Sequence, residues 1–137
     1  MDSASRDEQK KRGLKRFFKS FSYSIDGLKY AYKYEQSMTI HLTMVCLVVI
    51  LGLIVKLSFF EWLICLILFG LVVATELINT AIEAVVDLTC PYKHPLAKIA
   101  KDTASAAVFV FAFTALIAGL IIFVPKVIEL INIYVLK

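Results

Sequence analysis

Three long stretches of this chain contain no Asp, Glu, Lys or Arg: residues 36–55 (QSMTIHLTMVCLVVILGLIV), residues 62–75 and residues 103–125. That absence excludes a soluble domain. A chain of 137 residues that is 60% hydrophobic, with a mean hydropathy of +0.80, has too little interior to hide its apolar surface. Cysteine is scarce too. Cys46, Cys65 and Cys90 have neither metal-type nor paired spacing, so they are expected as buried or interfacial thiols. The N-terminal MDSASRDEQKKRGLKRFF lacks an apolar core followed by a small-residue cleavage site, so it does not read as a cleaved signal peptide. Internal repeats and broken helices, the usual marks of a transporter, are lacking as well.

What is there is membrane helix. Each charge-free run, with its flanks, meets the need for about 20 mostly apolar residues per span. The expected architecture is all-α and integral to the membrane. A basic disordered N-terminus (1–13) precedes one domain (14–137), with an amphipathic surface helix at about 14–34 and spans at about 36–56, 59–88 and 97–125. Lys and Arg crowd one side: nine precede residue 36, and Lys93, Lys98 and Lys101 lie between the second and third spans. Only Lys56 lies between the first two. The positive-inside rule then puts the N-terminus, the 88–101 loop and any active site in the cytoplasm.

Leu14, Phe17, Phe18, Phe21, Ile25, Leu28 and Tyr32 fall within an arc of roughly 100° on a helix. Lys15, Arg16, Lys19, Asp26 and Lys29 occupy the other face. Such a helix lies in the headgroup layer, and anchoring to anionic lipid would account for its lysines. It does not account for Tyr23, which stands amid the basic face, or for Glu35, which returns to the apolar edge where the first span begins. A carboxylate there is costly unless a cation meets it.

The second span continues directly into TELINTAIEAVVDLT. Glu76, Asn79, Glu83 and Asp87 are spaced 3, 4 and 4 residues apart, so they share an arc of about 80°, with Thr80 at its margin. If Glu61 marks the outer end, Glu76 lies 15 residues on, which is about 22 Å into a hydrocarbon layer of about 30 Å. A charge at the bilayer centre costs about 2.5–3.5 kcal/mol even on the lenient insertion scale. Asn79 and Thr80 have a simpler use as groups that bond helices together. Two glutamates seven residues apart on one face repel each other without a shared cation, and Mg²⁺, which takes one or two carboxylates plus substrate phosphates, suits them.

The third span opens with HPLAKIAKDTASAAV. Lys98, Lys101, Asp102 and Ser105 share about 100° of arc, placing cations where phosphate would need neutralising. Ala97, Ala100, Ala104 and Ala107 are small residues suited to close helix approach in lipid. Three spans offer too little protein to enclose two polar stripes and a substrate, so a homo-oligomer is expected.

ELINTAIEAVVDL followed by AKIAKDTASAAV, behind YSIDGLKYAYKYEQSM, closely resembles the small prokaryotic diacylglycerol kinase and undecaprenol kinase family over roughly residues 14–125. The resemblance implies three-helix membrane enzymes with a surface helix, assembled as homotrimers in the bacterial plasma membrane. They transfer the γ-phosphoryl group of Mg-ATP to a lipid alcohol, and their sites lie at subunit interfaces near the cytoplasmic face.

Carried over by motif, Glu76 resembles the general base, Glu83 a metal–ATP ligand, and Glu35 the first-helix carboxylate that shares the metal. Asn79 belongs to the same site, with Asp87 and Ser105 in support. Lys101 and Asp102 match nucleotide contacts, as do Arg16, Lys19 and Tyr23. Their vertical order suits the reaction: a lipid hydroxyl is met from within the membrane, and ATP from the cytosol.

The loop LTCPYKHPLAKIAKD, with Pro91 and Pro95, and His41 beside the first span look closer to Gram-positive members. For those members undecaprenol is the usual substrate, which favours undecaprenol over diacylglycerol here. His41, on an apolar-flanked helix, is expected as an interfacial hydrogen bonder and not as a ligand. A transport subunit would also place carboxylates in membrane helices, but here they cluster toward one face of the membrane; a non-enzymatic scaffold would leave Glu76 and Glu83 unexplained, and no nucleic-acid partner is expected.

Overall fold

The computed structural model describes the backbone of residues 3–135 and the side chains of residues 13–133, and all of its described secondary structure is helical. Four helices follow in order: α1 (Ser3–Tyr34), α2 (Gln36–Ile54), α3 (Phe59–Thr89) and α4 (Pro95–Val135). The chain forms two compact units, Met1–Glu35 and Gln36–Lys137.

α1 begins at Ser3, where the sequence suggests disorder over 1–13; Met1 and Asp2 lie outside the described residues, as do the side chains of 3–12. No proline interrupts this stretch, and Gly13 is a cost of about 1 kcal/mol that a helix tolerates. From Leu14 onward the expected stripe is present, and Leu14, Phe17, Phe18, Phe21 and Ile25 are all exposed. Phe17 packs edge-on against both Phe18 and Phe21.

In the second unit α3 packs against α4 along much of its length and against α2 over a shorter stretch. All three are long and apolar enough to cross a membrane, and most of their large side chains point outward. That inversion is what lipid as solvent permits. With 31 residues α3 is about 46 Å long and α4, with 41, about 62 Å, so both exceed a hydrocarbon core of about 30 Å. The polar end of α3 therefore has room beyond the lipid.

The α2–α3 turn is specified residue by residue. Lys56 adopts a left-handed conformation (φ 54°), and the Leu57 amide donates to the Gly52 carbonyl, the Schellman pattern that closes a helix. Ser58 then caps α3. Its hydroxyl accepts from the Glu61 amide, and the Glu61 carboxylate accepts from the Ser58 amide at 2.6 Å. Glu61 also pairs with Lys126 of α4 at 3.1 Å, which ties α3 and α4 together at the end expected to lie outermost.

α4 starts at Pro95, two residues before the expected start, because proline suits the first helical position and His94 Nδ1 accepts the Leu96 amide. It also runs on through Pro125, expected as its end. Proline forfeits one backbone hydrogen bond, but the apolar run on both sides sustains the helix, as membrane helices allow. The three cysteines are unpaired; Cys46 is exposed on α2, so lipid or a partner, not this chain, covers it.

Candidate active site

α3 carries the expected stripe. Glu76 is 4% exposed and Asn79 and Thr80 are each 8% exposed, in a unit where few side chains of any kind are buried. Thr80 donates to the backbone carbonyl of Glu76, the local use open to a helical threonine. Asn79 turns toward the other end of the stripe, its Nδ2 donating to Glu83 Oε1 at 3.2 Å. Its Oδ1 is buried with no partner.

A carboxylate as enclosed as Glu76 must be partnered, since an unpaired buried acceptor is costly. The partners come from α2. Ser37 Oγ donates to Glu76 Oε1, and His41 Nε2 stands 4.0 Å from Oε2. Ser37 and His41 are one helical turn apart, so one face of α2 supplies both. That Nε2 is buried and has no hydrogen-bond partner. The sequence singles out His41 only as an interfacial hydrogen bonder and does not single out Ser37. An i, i+4 polar pair in an otherwise uncharged span was the available signal.

Glu83 is half-buried and Asp87 exposed, so the stripe opens toward its C-terminal end. There α4 meets it: Lys101 Nζ contacts Asp87 Oδ1 at 3.0 Å and Oδ2 at 3.1 Å. Asp102 is engaged by Lys98 at 2.9 Å on the exposed side of α4, and Ser105 is exposed. Lys101 and Asp102 therefore serve different partners, because adjacent residues on a helix do not face the same way. Ala104 is buried, as expected of a small residue where helices approach closely.

In the first unit Arg16, Lys19 and Tyr23 are exposed on α1, with Lys19 Nζ 5.7 Å from the centre of the Tyr23 ring. Glu35, half-buried, ends that unit, and its amide donates to Ala31.

A buried carboxylate thus stands between two helices long enough to cross a membrane, with further carboxylates and a lysine toward one end. Comparison with known proteins gives the class. The family model described as prokaryotic diacylglycerol kinase matches residues 22–123. The undecaprenol kinase of Bacillus subtilis is 47% identical over 113 residues, covering 82% of this chain and 92% of that protein. The diacylglycerol kinase of Helicobacter pylori is 42% identical over 98 residues (72% and 77%), and that of Haemophilus influenzae 35% over 101 residues (74% and 86%). The chain belongs to the prokaryotic diacylglycerol kinase family and is a lipid kinase.

Proposed function

We propose that this chain transfers the γ-phosphoryl group of ATP to undecaprenol, giving undecaprenyl phosphate. The observation that carries the reaction type is the buried Glu76 carboxylate held by α2, the one carboxylate among the described residues that is buried on a membrane helix. In this reading Glu76 takes the proton of the lipid hydroxyl as the alcohol oxygen bonds to the γ-phosphorus. The bond from that phosphorus to the bridging oxygen breaks, and ADP leaves. General-base help of this kind is worth about 10²–10⁴ in rate, and the remainder of phosphoryl transfer is positioning and electrostatics.

The donors at the open end of the stripe are oxygens. The Glu83 carboxylate and the orphaned Asn79 Oδ1 suit a hard cation that completes its shell with phosphate oxygens. We assign Glu83 and Glu35 as ligands of Mg²⁺, which when bound neutralises charge on the phosphates. Lys101, anchored by Asp87, offsets charge on the same phosphates, and Asp102, Arg16, Lys19 and Tyr23 contact the nucleotide. Asn79 aligns Glu83; Asp87 and Ser105 are supporting groups. Assembly as a homotrimer in the bacterial plasma membrane, with N-terminus and site in the cytoplasm, completes the reading. The Lys/Arg asymmetry and the exposed apolar faces support it.

The preference for undecaprenol rests on the likeness to the Bacillus subtilis enzyme. Diacylglycerol is the second reading, because relatives 42% and 35% identical are diacylglycerol kinases. The test is phosphorylation by the purified protein in mixed micelles with labelled ATP and Mg²⁺. A higher kcat/KM for undecaprenol than for diacylglycerol is expected. The reverse order replaces the substrate, and no transfer to either ends the reading.

A further inference from the structure

Glu76 has two carboxylate oxygens, and α2 treats them differently. Oε1 receives the Ser37 hydroxyl, whereas Oε2 faces His41 Nε2 across 4.0 Å. That separation is too long for a hydrogen bond, yet Nε2 is buried and no other described group reaches it. A hydroxyl oxygen about 2.7 Å from a carboxylate oxygen and about 3.0 Å from an imidazole nitrogen spans a gap of about 4–4.6 Å between the two. At 4.0 Å the separation between His41 and Glu76 lies at the short end of that range, and Nε2 is sealed from solvent, so a hydroxyl enters between them only as the two side chains part slightly.

We propose that His41 is a substrate-positioning residue of the kinase reaction: its Nε2–H and Glu76 Oε2 together receive the hydroxyl of the lipid alcohol, while Ser37 reserves Oε2 for that role by holding Oε1. The alcohol donates its O–H to Oε2 and accepts from Nε2–H with one lone pair. Its second lone pair is then directed at the phosphorus. The proton passes to Glu76, and His41 keeps its own throughout. This inference rests on the reading of Glu76 as the base, and it adds an acceptor-binding group from a helix to which that reading gives no role in the chemistry.

Five variants of the full chain, assayed in mixed micelles with undecaprenol and Mg-ATP, test it. His41→Phe keeps a ring of similar bulk and removes the N–H; His41→Gln restores an N–H donor. The expected result is that His41→Phe lowers kcat/KM for the alcohol about tenfold with the KM for Mg-ATP unchanged, and that His41→Gln recovers most of the loss. Ser37→Ala should lower kcat about tenfold and Ser37→Thr should restore it. Wild-type kcat/KM in His41→Phe overturns the proposal. Equal losses in His41→Phe and His41→Gln, or losses shared by the Mg-ATP KM, overturn it too, because they report packing alone. Glu76→Gln separates the two levels. If it still turns over, the base reading itself fails; if it is inert while His41→Phe is normal, only the present inference does.

Discussion

Lys101 on α4 and Asp87 on α3 form a two-oxygen contact, with Nζ 3.0 and 3.1 Å from the carboxylate oxygens, between the C-terminal end of α3 and the N-terminal end of α4. Both are solvent-accessible, so the pair contributes little to stability. Its consequence is positional: it fixes an ammonium group beside the open end of the glutamate stripe, where the phosphates of ATP would arrive.

Removing each partner should therefore have unequal effects. Lys101→Met takes away the cation and is expected to raise the KM for Mg-ATP about tenfold, the scale of a lost charge-assisted contact. Asp87→Asn keeps the cation and frees it, so a rise of about two- to threefold is expected, with little change in thermal midpoint. Steady-state kinetics against Mg-ATP at saturating lipid decide this. Equal effects of the two variants would mean that Asp87 acts on the nucleotide directly and not through Lys101.

Glu76→Gln preserves shape and can still accept from Ser37 through its amide oxygen, but it cannot take a proton. We expect kcat to fall at least about 100-fold, the lower end of general-base contributions, while the Kd for a non-hydrolysable Mg-ATP analogue changes less than about twofold. Isothermal titration beside a turnover assay checks both. A lost affinity with preserved turnover of the bound complex would reverse the roles given to Glu76 and Glu83.

The stripe of Glu76, Asn79, Glu83 and Asp87 was legible in the sequence because its period is written within a single helix and stands out against an apolar background. The three spans were legible for the same reason. Ser37 was not, and His41 was legible only as an interfacial hydrogen bonder without its partner, since α2 is otherwise apolar and this pair is matched to Glu76 by packing across 39 residues of sequence from Ser37. The Lys101–Asp87 contact also depends on how α4 docks on α3. Charge misled at both ends: α4 runs on past the end of the charge-free stretch at residue 125, and the polar segment before Leu14 is still helical. The tertiary partners of each side chain, unlike its period, cannot be read from one helix at a time.

Glu83→Gln tests the other end of the stripe. Asn79 Nδ2 donates to Glu83 Oε1, which leaves Oε2 and the orphaned Asn79 Oδ1 for a cation. With the carboxylate neutralised, Mg-ATP affinity should fall about tenfold or more and the Mg²⁺ concentration for half-maximal activity should rise, whereas kcat extrapolated to saturation should fall less. Asn79→Ala should produce the same pattern more weakly, because it frees Glu83 without neutralising it. Titration of activity with Mg²⁺ at fixed ATP measures both variants. An unchanged Mg²⁺ requirement in Glu83→Gln would remove Glu83 from the metal.

The helix pair that delivers Ser37 and His41 to Glu76 depends on a glycine at its other end. A Cβ added at Gly52 would lie 2.6 Å from Trp62 Cη2 and 2.9 Å from Leu57 Cδ1, well inside contact distance, so α2 and α3 meet there only because residue 52 has no side chain. Trp62 stands on the first turn of α3, whose backbone the Ser58–Glu61 capping box fixes. Gly52→Ala should cost about 1–3 kcal/mol through overpacking, offset only in part by the better helix propensity of alanine. It should also lower kcat more than it changes the KM for Mg-ATP, because displacing α2 moves Ser37 and His41 while leaving Glu83 and Lys101 in place. Trp62→Leu, which shortens the opposing side chain, should recover stability when combined with Gly52→Ala. Thermal unfolding in detergent, followed by kinetics of the same samples, checks both effects. A Gly52→Ala protein with the wild-type midpoint and wild-type kcat would show that this close approach does not hold α2 against α3.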